Sequence, residues 1–130
     1  RILPWYLFLC AKSVFHTESS GIQANLSSIM VNKRLVRATD YCGVKSGRDV
    51  DKFKETRLTP QASRYVKAPG VEESPVNIEC KVVEVKELGS HDMFIAKVMG
   101  VTIDNQYMDD RGKFNLNASG LVSYSHGEYF

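Results

Sequence analysis

The sequence predicts a mainly β domain with short helices, most simply a small, mostly antiparallel barrel. Three observations carry this. Residues 76–88, "VNIECKVVEVKEL", alternate, with Val76, Ile78, Cys80 and Val82 on one parity. The phase slips at Val82–Val83, and Val83 and Val85 continue on the other parity, which is the signature of a bulge. Residues 93–103, "MFIAKVMGVTI", then run apolar on both parities, as a strand covered on both faces does. A turn-rich joint, "LGSHD", separates the two runs and makes them an antiparallel hairpin.

The other elements follow in chain order. Residues 1–10, "RILPWYLFLC", suit one buried strand, with Pro4 restricting its start to an edge or an entry. Residues 11–31 show neither alternation nor helical spacing. A helix is expected over 33–41, capped by Asn32, with Leu35, Ala38 and Cys42 on one face. Gly43 then suits the left-handed position just past its end. Ser46 with Asp49 three residues on resembles a capping box, opening a short helix that carries Val50 and Phe53 and ends near Glu55. Residues 58–75 hold three prolines and read as an extended surface connection. Residues 104–120 are polar, with a turn at Asp110-Arg111-Gly112, and 121–130 read as a terminal strand.

Bulk properties exclude several classes. The chain has 130 residues, 43% hydrophobic and 25% charged, as expected of one globular domain. A net charge of +2 without a basic stripe argues against nucleic acid. Cys10, Cys42 and Cys80 lie far apart, without C-x-x-C or zinc spacing, which points to a reducing, cytoplasmic setting. The acidic residues show no metal-loop spacing. The apolar start falls short of the roughly 20 residues that span a bilayer and lacks a cleavage site, so neither membrane nor signal peptide is expected. A first residue of Arg rather than Met suggests a fragment or a trimmed product.

Four segments carry a resemblance: "ATDYCGVKSGRDVDKF" (38–53), "SPVNIECKVVEVKELGSHDMFIAKV" (74–98), "RGKFNL" (111–116) and "LVSYSHGEYF" (121–130). In order and spacing they resemble the flavin reductase-like family of FMN-binding split barrels, in its flavoredoxin-type branch. The resemblance covers residues 36–130. It implies a homodimer of split β-barrels holding FMN near the subunit interface. Members reduce flavin with NADH or NADPH, or pass electrons between FMN and a redox partner protein. Two departures are expected to matter. Residues 1–31 form an atypical N-terminal segment that does not reproduce the family's phosphate-gripping region, and the usual C-terminal tail is missing. The domain reading is therefore 1–31 as that segment and 32–130 as an incomplete split barrel.

Individual residues have an ordinary and a functional reading. Lys52 is by default a solvated helix lysine. The resemblance places it at the flavin, where an ammonium would stabilise the negative charge left by two-electron reduction. His91 is by default a turn residue. The resemblance brings it near the isoalloxazine, to donate to a carbonyl or relay a proton, the one possible catalytic role. Tyr124 would wall the ring, and His126 and Tyr129 are weaker candidates on the nicotinamide or interface side. Ser46 and Gly47 could cradle a phosphate if a helix starts there; a plain cap explains them equally well. Cys42 reads as a packed thiol, because a helix C-terminus disfavours the thiolate. Cys80 reads as core.

Two readings remain beside the flavoprotein. One is a non-catalytic dimeric β-barrel remnant that has lost FMN binding, suggested by the unrecognisable N-terminal third. The other is a small nucleic-acid-binding barrel, which the weak charge disfavours.

Overall fold

The computed structural model describes residues 6–11 and 24–130. In chain order the elements are β1 (Tyr6–Ala11), β2 (Asn25–Met30), α1 (Val36–Val44), α2 (Lys52–Thr56), β3 (Pro60–Gln61), β4 (Gly70–Val71), β5 (Val76–Glu87), β6 (Asp92–Ile103), β7 (Tyr124–Ser125) and β8 (Glu128–Tyr129). A 3-10 turn, Asn105–Tyr107, follows β6. The main sheet has the order β1-β6-β5-β2, every pair antiparallel.

The β5–β6 hairpin is the backbone of the fold, and its slip is where the alternation placed it. Val82 opposes Ala96 and Glu84 opposes Ile95, so Val83 is the extra residue of a bulge. A second irregularity lies lower down, where Glu79 opposes Gly100, Cys80 opposes Val98, and Met99 is extra. Below the Val83 bulge both faces of β5 are covered. Val76 and Cys80 are buried on one side, and Asn77 and Glu79 on the other. Above it, Val83, Val85 and Leu88 are exposed. β6 is covered at Phe94 and Ala96 but exposes Val101, so only part of that apolar run is enclosed.

The polar face of β5 holds the 60–71 segment in place. Asn77 accepts from the Val71 N–H at 2.8 Å and donates to the Val71 carbonyl and Gln61 Oε1 at 3.0 and 3.1 Å. Glu79 accepts from the backbone N–H groups of Arg64 and Tyr65 at 3.0 and 2.6 Å. These bonds satisfy groups whose burial would otherwise be costly. Gly70 is required for the close approach: a Cβ there would sit 2.7 Å from Asn77 Oδ1.

Several expectations need correction. Part of the segment that showed no pattern is β2, an edge strand. Ser27 and Ser28 put polar groups on both its faces, which erases the alternation. The second half of the first expected strand is seen as β1; residues 1–5, Pro4 among them, and 12–23 lie outside the described residues. Helix α1 starts three residues later than predicted, after Leu35, with no side-chain cap. Asn32 instead bridges to Leu121 and accepts from the Arg34 N–H. Gly43 lies inside α1 rather than past its end, because the chain leaves in extended form at Lys45. The 58–75 connection contains the two-residue β3–β4 ladder. The chain end is a small hairpin, not one strand, because His126 and Gly127 take φ of 51° and 87°, the mirror-image turn that joins β7 to β8.

Candidate functional site

The junction between α1 and α2 is built from short local bonds. The Lys45 N–H donates to the Tyr41 carbonyl at 3.0 Å, closing α1. The Asp49 and Val50 N–H groups donate to the Ser46 carbonyl at 3.2 and 3.3 Å, and the Arg48 N–H to Ser46 Oγ at 3.2 Å. Ser46 therefore organises a turn and does not open a helix, so the expected capping box and helix-start phosphate cradle are not formed. α2 begins six residues later, where Asp51 Oδ1 accepts from the Lys54 N–H at 3.2 Å. Asp51, outside the predicted box, has the better geometry because its own backbone is extended, as an N-cap requires.

Lys52 folds back across this turn. Its Nζ donates to the Cys42 carbonyl at 2.7 Å, one of the last carbonyls of α1. A cation suits that end of a helix, where unpaired carbonyls gather negative potential. Gly47 lies beneath the lysine stem; a Cβ there would meet Cε at 3.9 Å. The bond fixes the ammonium at the wall of a cavity of about 400 Å³, lined by Cys42, Gly43, Val44, Lys45, Ser46, Arg48 and Lys52. Lys45, Arg48 and Lys52 are the charged residues among its lining; Asp49 and Asp51 line the adjoining depression.

The remaining candidates lie elsewhere. His91 stands in the β5–β6 turn, half-buried, with Nδ1 3.0 Å from Ser90 Oγ. Tyr124 is 64% exposed, and its ring lies 5.0 Å from that of Tyr129, at a 56° tilt. His126 occupies the left-handed turn position. Burial, then the Asp40 carboxylate, pushes the Tyr129 hydroxyl up from its ordinary pKa. Asp40 belongs to α1, so the terminal hairpin sits against the helix that ends at the cavity. Lys52 and Ser46 thus share one cavity with Gly47 beside it, whereas His91, Tyr124 and His126 are not among its lining residues.

Cys80 is fully buried, and burial raises its thiol pKa, in keeping with a core role. Cys42 is half-buried at the cavity wall. Lys45 and Arg48 are the lining residues that sequence reasoning passed over as site candidates. Their signal was the pair of cations bracketing Ser46-Gly47.

The flavin reductase like domain model matches residues 26–127. The chain belongs to the flavin reductase-like family. Flavoredoxin of Desulfovibrio vulgaris (Miyazaki F) superposes with a TM-score of 0.76 at 32% identity, covering 83% of this chain and 58% of that one. A flavoredoxin from Methanosarcina acetivorans gives 0.78 at 26% identity, covering 96% and 67%. An uncharacterised protein of Pyrococcus abyssi is 34% identical over 95 residues, 73% of this chain and 54% of its own length. The fold is therefore that of the flavin reductase split barrels, and the chain spans about half the length of the curated relatives it matches.

Proposed function

We propose that this chain carries an FMN site at the α1–α2 junction and serves flavin reduction or FMN-mediated electron transfer. The observation that carries this is the Lys52 ammonium, held 2.7 Å from the Cys42 carbonyl at the wall of the cavity. The cavity's size falls within the range of small-molecule sites. Its cations suit a cofactor that bears a phosphate and gains negative charge on reduction. FMN, when bound, supplies the two-electron chemistry.

The chain's own residues take defined parts in this reading. Lys52, its ammonium held by the Cys42 carbonyl, would place positive charge where the reduced flavin is electron-rich. Lys45 and the backbone around Ser46 and Gly47 offer donors to polar groups of the cofactor. Tyr124, paired with Tyr129 on the terminal hairpin and outside the cavity lining, would wall only a part of the ring that extends beyond the cavity. His91, if brought in by a second subunit, hydrogen-bonds a carbonyl or relays a proton.

The electron donor in this reading is NADH or NADPH, or a redox partner protein. A homodimer would bring His91 and Lys52 of different subunits together, and the exposed Val83, Val85 and Leu88 supply apolar surface for it. Cys42 and Cys80 are free thiols, in keeping with a reducing, cytoplasmic setting. Among the described residues no helix is long and apolar enough to cross a membrane.

The test is a titration with FMN followed in the visible spectrum. A saturable spectral change at micromolar FMN is expected. Absence of binding at tens of micromolar, with the fold intact by circular dichroism, would reject the reading and favour a non-catalytic barrel.

A further inference from the structure

A second cleft lies over the β5–β2 side of the sheet, and none of its lining residues belongs to the α1–α2 junction. Its volume is about 480 Å³, and Asn25, Arg64, Tyr65, Lys67 and Lys81 are among its lining residues. Its floor is formed by two strands, and the row of opposed residues continues beyond it onto a third. Asn25 of β2 opposes Lys81 of β5, which in turn opposes Lys97 of β6. Directly opposed side chains in an antiparallel sheet share a face, so two lysines stand side by side there. Like charges in that position are destabilising unless something offsets them.

No carboxylate among the described residues lies within ion-pair distance of Lys81 or Lys97, although Glu79, two residues from Lys81 on the same face, keeps its negative charge. Among the described residues none of Arg64, Lys67, Lys81 and Lys97 forms an ion pair; the pair found there joins Lys86 to Glu84. The acid next to Lys81 on the same face is Glu79. Its carboxyl group is taken up by the N–H groups of Arg64 and Tyr65. Those two bonds fix the 64–67 segment over the strand. Tyr65 is further seated against Gly100, where a Cβ would come within 2.6 Å of its ring. Arg64 and Lys67 are therefore mounted on a segment pinned to β5 by Glu79.

An independent observation points to a missing polar partner. Asn25 Oδ1 and Ser27 Oγ are buried without a hydrogen-bond partner. Both lie on the Lys81 face of the sheet, Ser27 opposite Glu79 and Asn25 opposite Lys81. Buried polar atoms without partners are rare enough to need an explanation. A hydroxyl can donate by rotation, and a carboxamide can turn its Nδ2 toward an acceptor. Asn25, which lines the cleft, would then be satisfied by an oxyanion resting beside Lys81, whereas Ser27 lies outside the lining.

We propose that this cleft binds a phosphate group, held by Lys81 and Arg64 with Lys67 at the rim and Asn25 beneath. Several cations converging on one small space suit a tetrahedral dianion better than a single carboxylate. The source is either free phosphate or a nucleotide, since the half-exposed Tyr65 ring offers a flat face to a base.

The experiment is calorimetric titration of the protein, without flavin, using pyrophosphate and adenosine monophosphate as probes. Saturable binding that weakens with added salt is expected for at least one probe. Lys81→Gln should weaken it about tenfold or more. Lys67→Gln removes an exposed, unpartnered charge that the fold does not need and should weaken it about threefold. Adenosine monophosphate binding more tightly than pyrophosphate, with the gain lost in Tyr65→Ala, would identify a nucleotide. Equal or tighter pyrophosphate binding would identify free phosphate. No saturable binding of either probe, or binding unchanged in both lysine variants, would overturn the proposal. Neither probe contains a flavin, so failure here is separate from failure of the FMN reading.

Discussion

The lower half of β5 and the α1–α2 junction are both held by side-chain-to-backbone hydrogen bonds, but in different surroundings. At β5, Asn77 and Glu79 are buried and bind five backbone and side-chain groups of the 60–71 segment. At the junction, exposed turn bonds and one lysine do the holding. A hydrogen bond shielded from water is costly to break, because the freed groups stay dry. One exposed to water is cheap to exchange. The first region is suited to carry the fold, and the second to accept a ligand that competes for the same donors.

The largest expected effect comes from breaking the first region. Asn77→Ala strands the Val71 N–H and carbonyl in a buried site and should cost about 3 kcal/mol; urea unfolding with an unchanged slope checks it. Gly70→Ala drives a methyl into the Asn77 carboxamide and should cost about 1–3 kcal/mol. A neutral result would show that the segment is less tightly held than the distances indicate.

Changes at the junction should be smaller. Asp51→Ala removes the α2 cap and should cost about 1 kcal/mol by the same assay. Lys52→Met removes a single helix-end bond, expected to be worth under about 1 kcal/mol. A loss comparable to that of Asn77→Ala would erase the contrast between the regions.

The smallest effect concerns pH. Burial alone would raise the Glu73 pKa, but hydrogen bonds from the Thr59 N–H and hydroxyl bring it below its ordinary value. Asp104 is lowered by the backbone and side-chain bonds of Gln106. Both folded values lie below the unfolded ones. The stabilisation is therefore present above the unfolded pKa and lost as pH falls through the folded one. Melting temperature should drop modestly between about pH 5 and pH 3, and Glu73→Gln should flatten part of that drop.

How far each region could be read from sequence follows from the same physics. The β5–β6 hairpin and its Val83 bulge were legible because apolar alternation records burial directly. β2 was not, since its two adjacent serines give no periodicity. The hold exerted by Asn77 and Glu79 left only a faint signal, polar residues on a parity that turned out to be buried. All but one of their partners, the Gln61 side chain, are backbone groups 6 to 15 residues away, which carry no side-chain signature. At the junction, Ser46 and Asp49 had the spacing of a capping box but Asp51 had the backbone conformation. Lys52 was singled out by family resemblance alone; its bond to Cys42 spans ten residues and follows from no local rule.

The midpoint potential of bound FMN, measured in the native protein and in Lys52→Met, tests the central claim most directly. If the junction places this ammonium beside the flavin, the variant's potential should be more negative by about 30 mV or more. An unchanged potential, with FMN bound and the fold intact, would contradict the role assigned to Lys52.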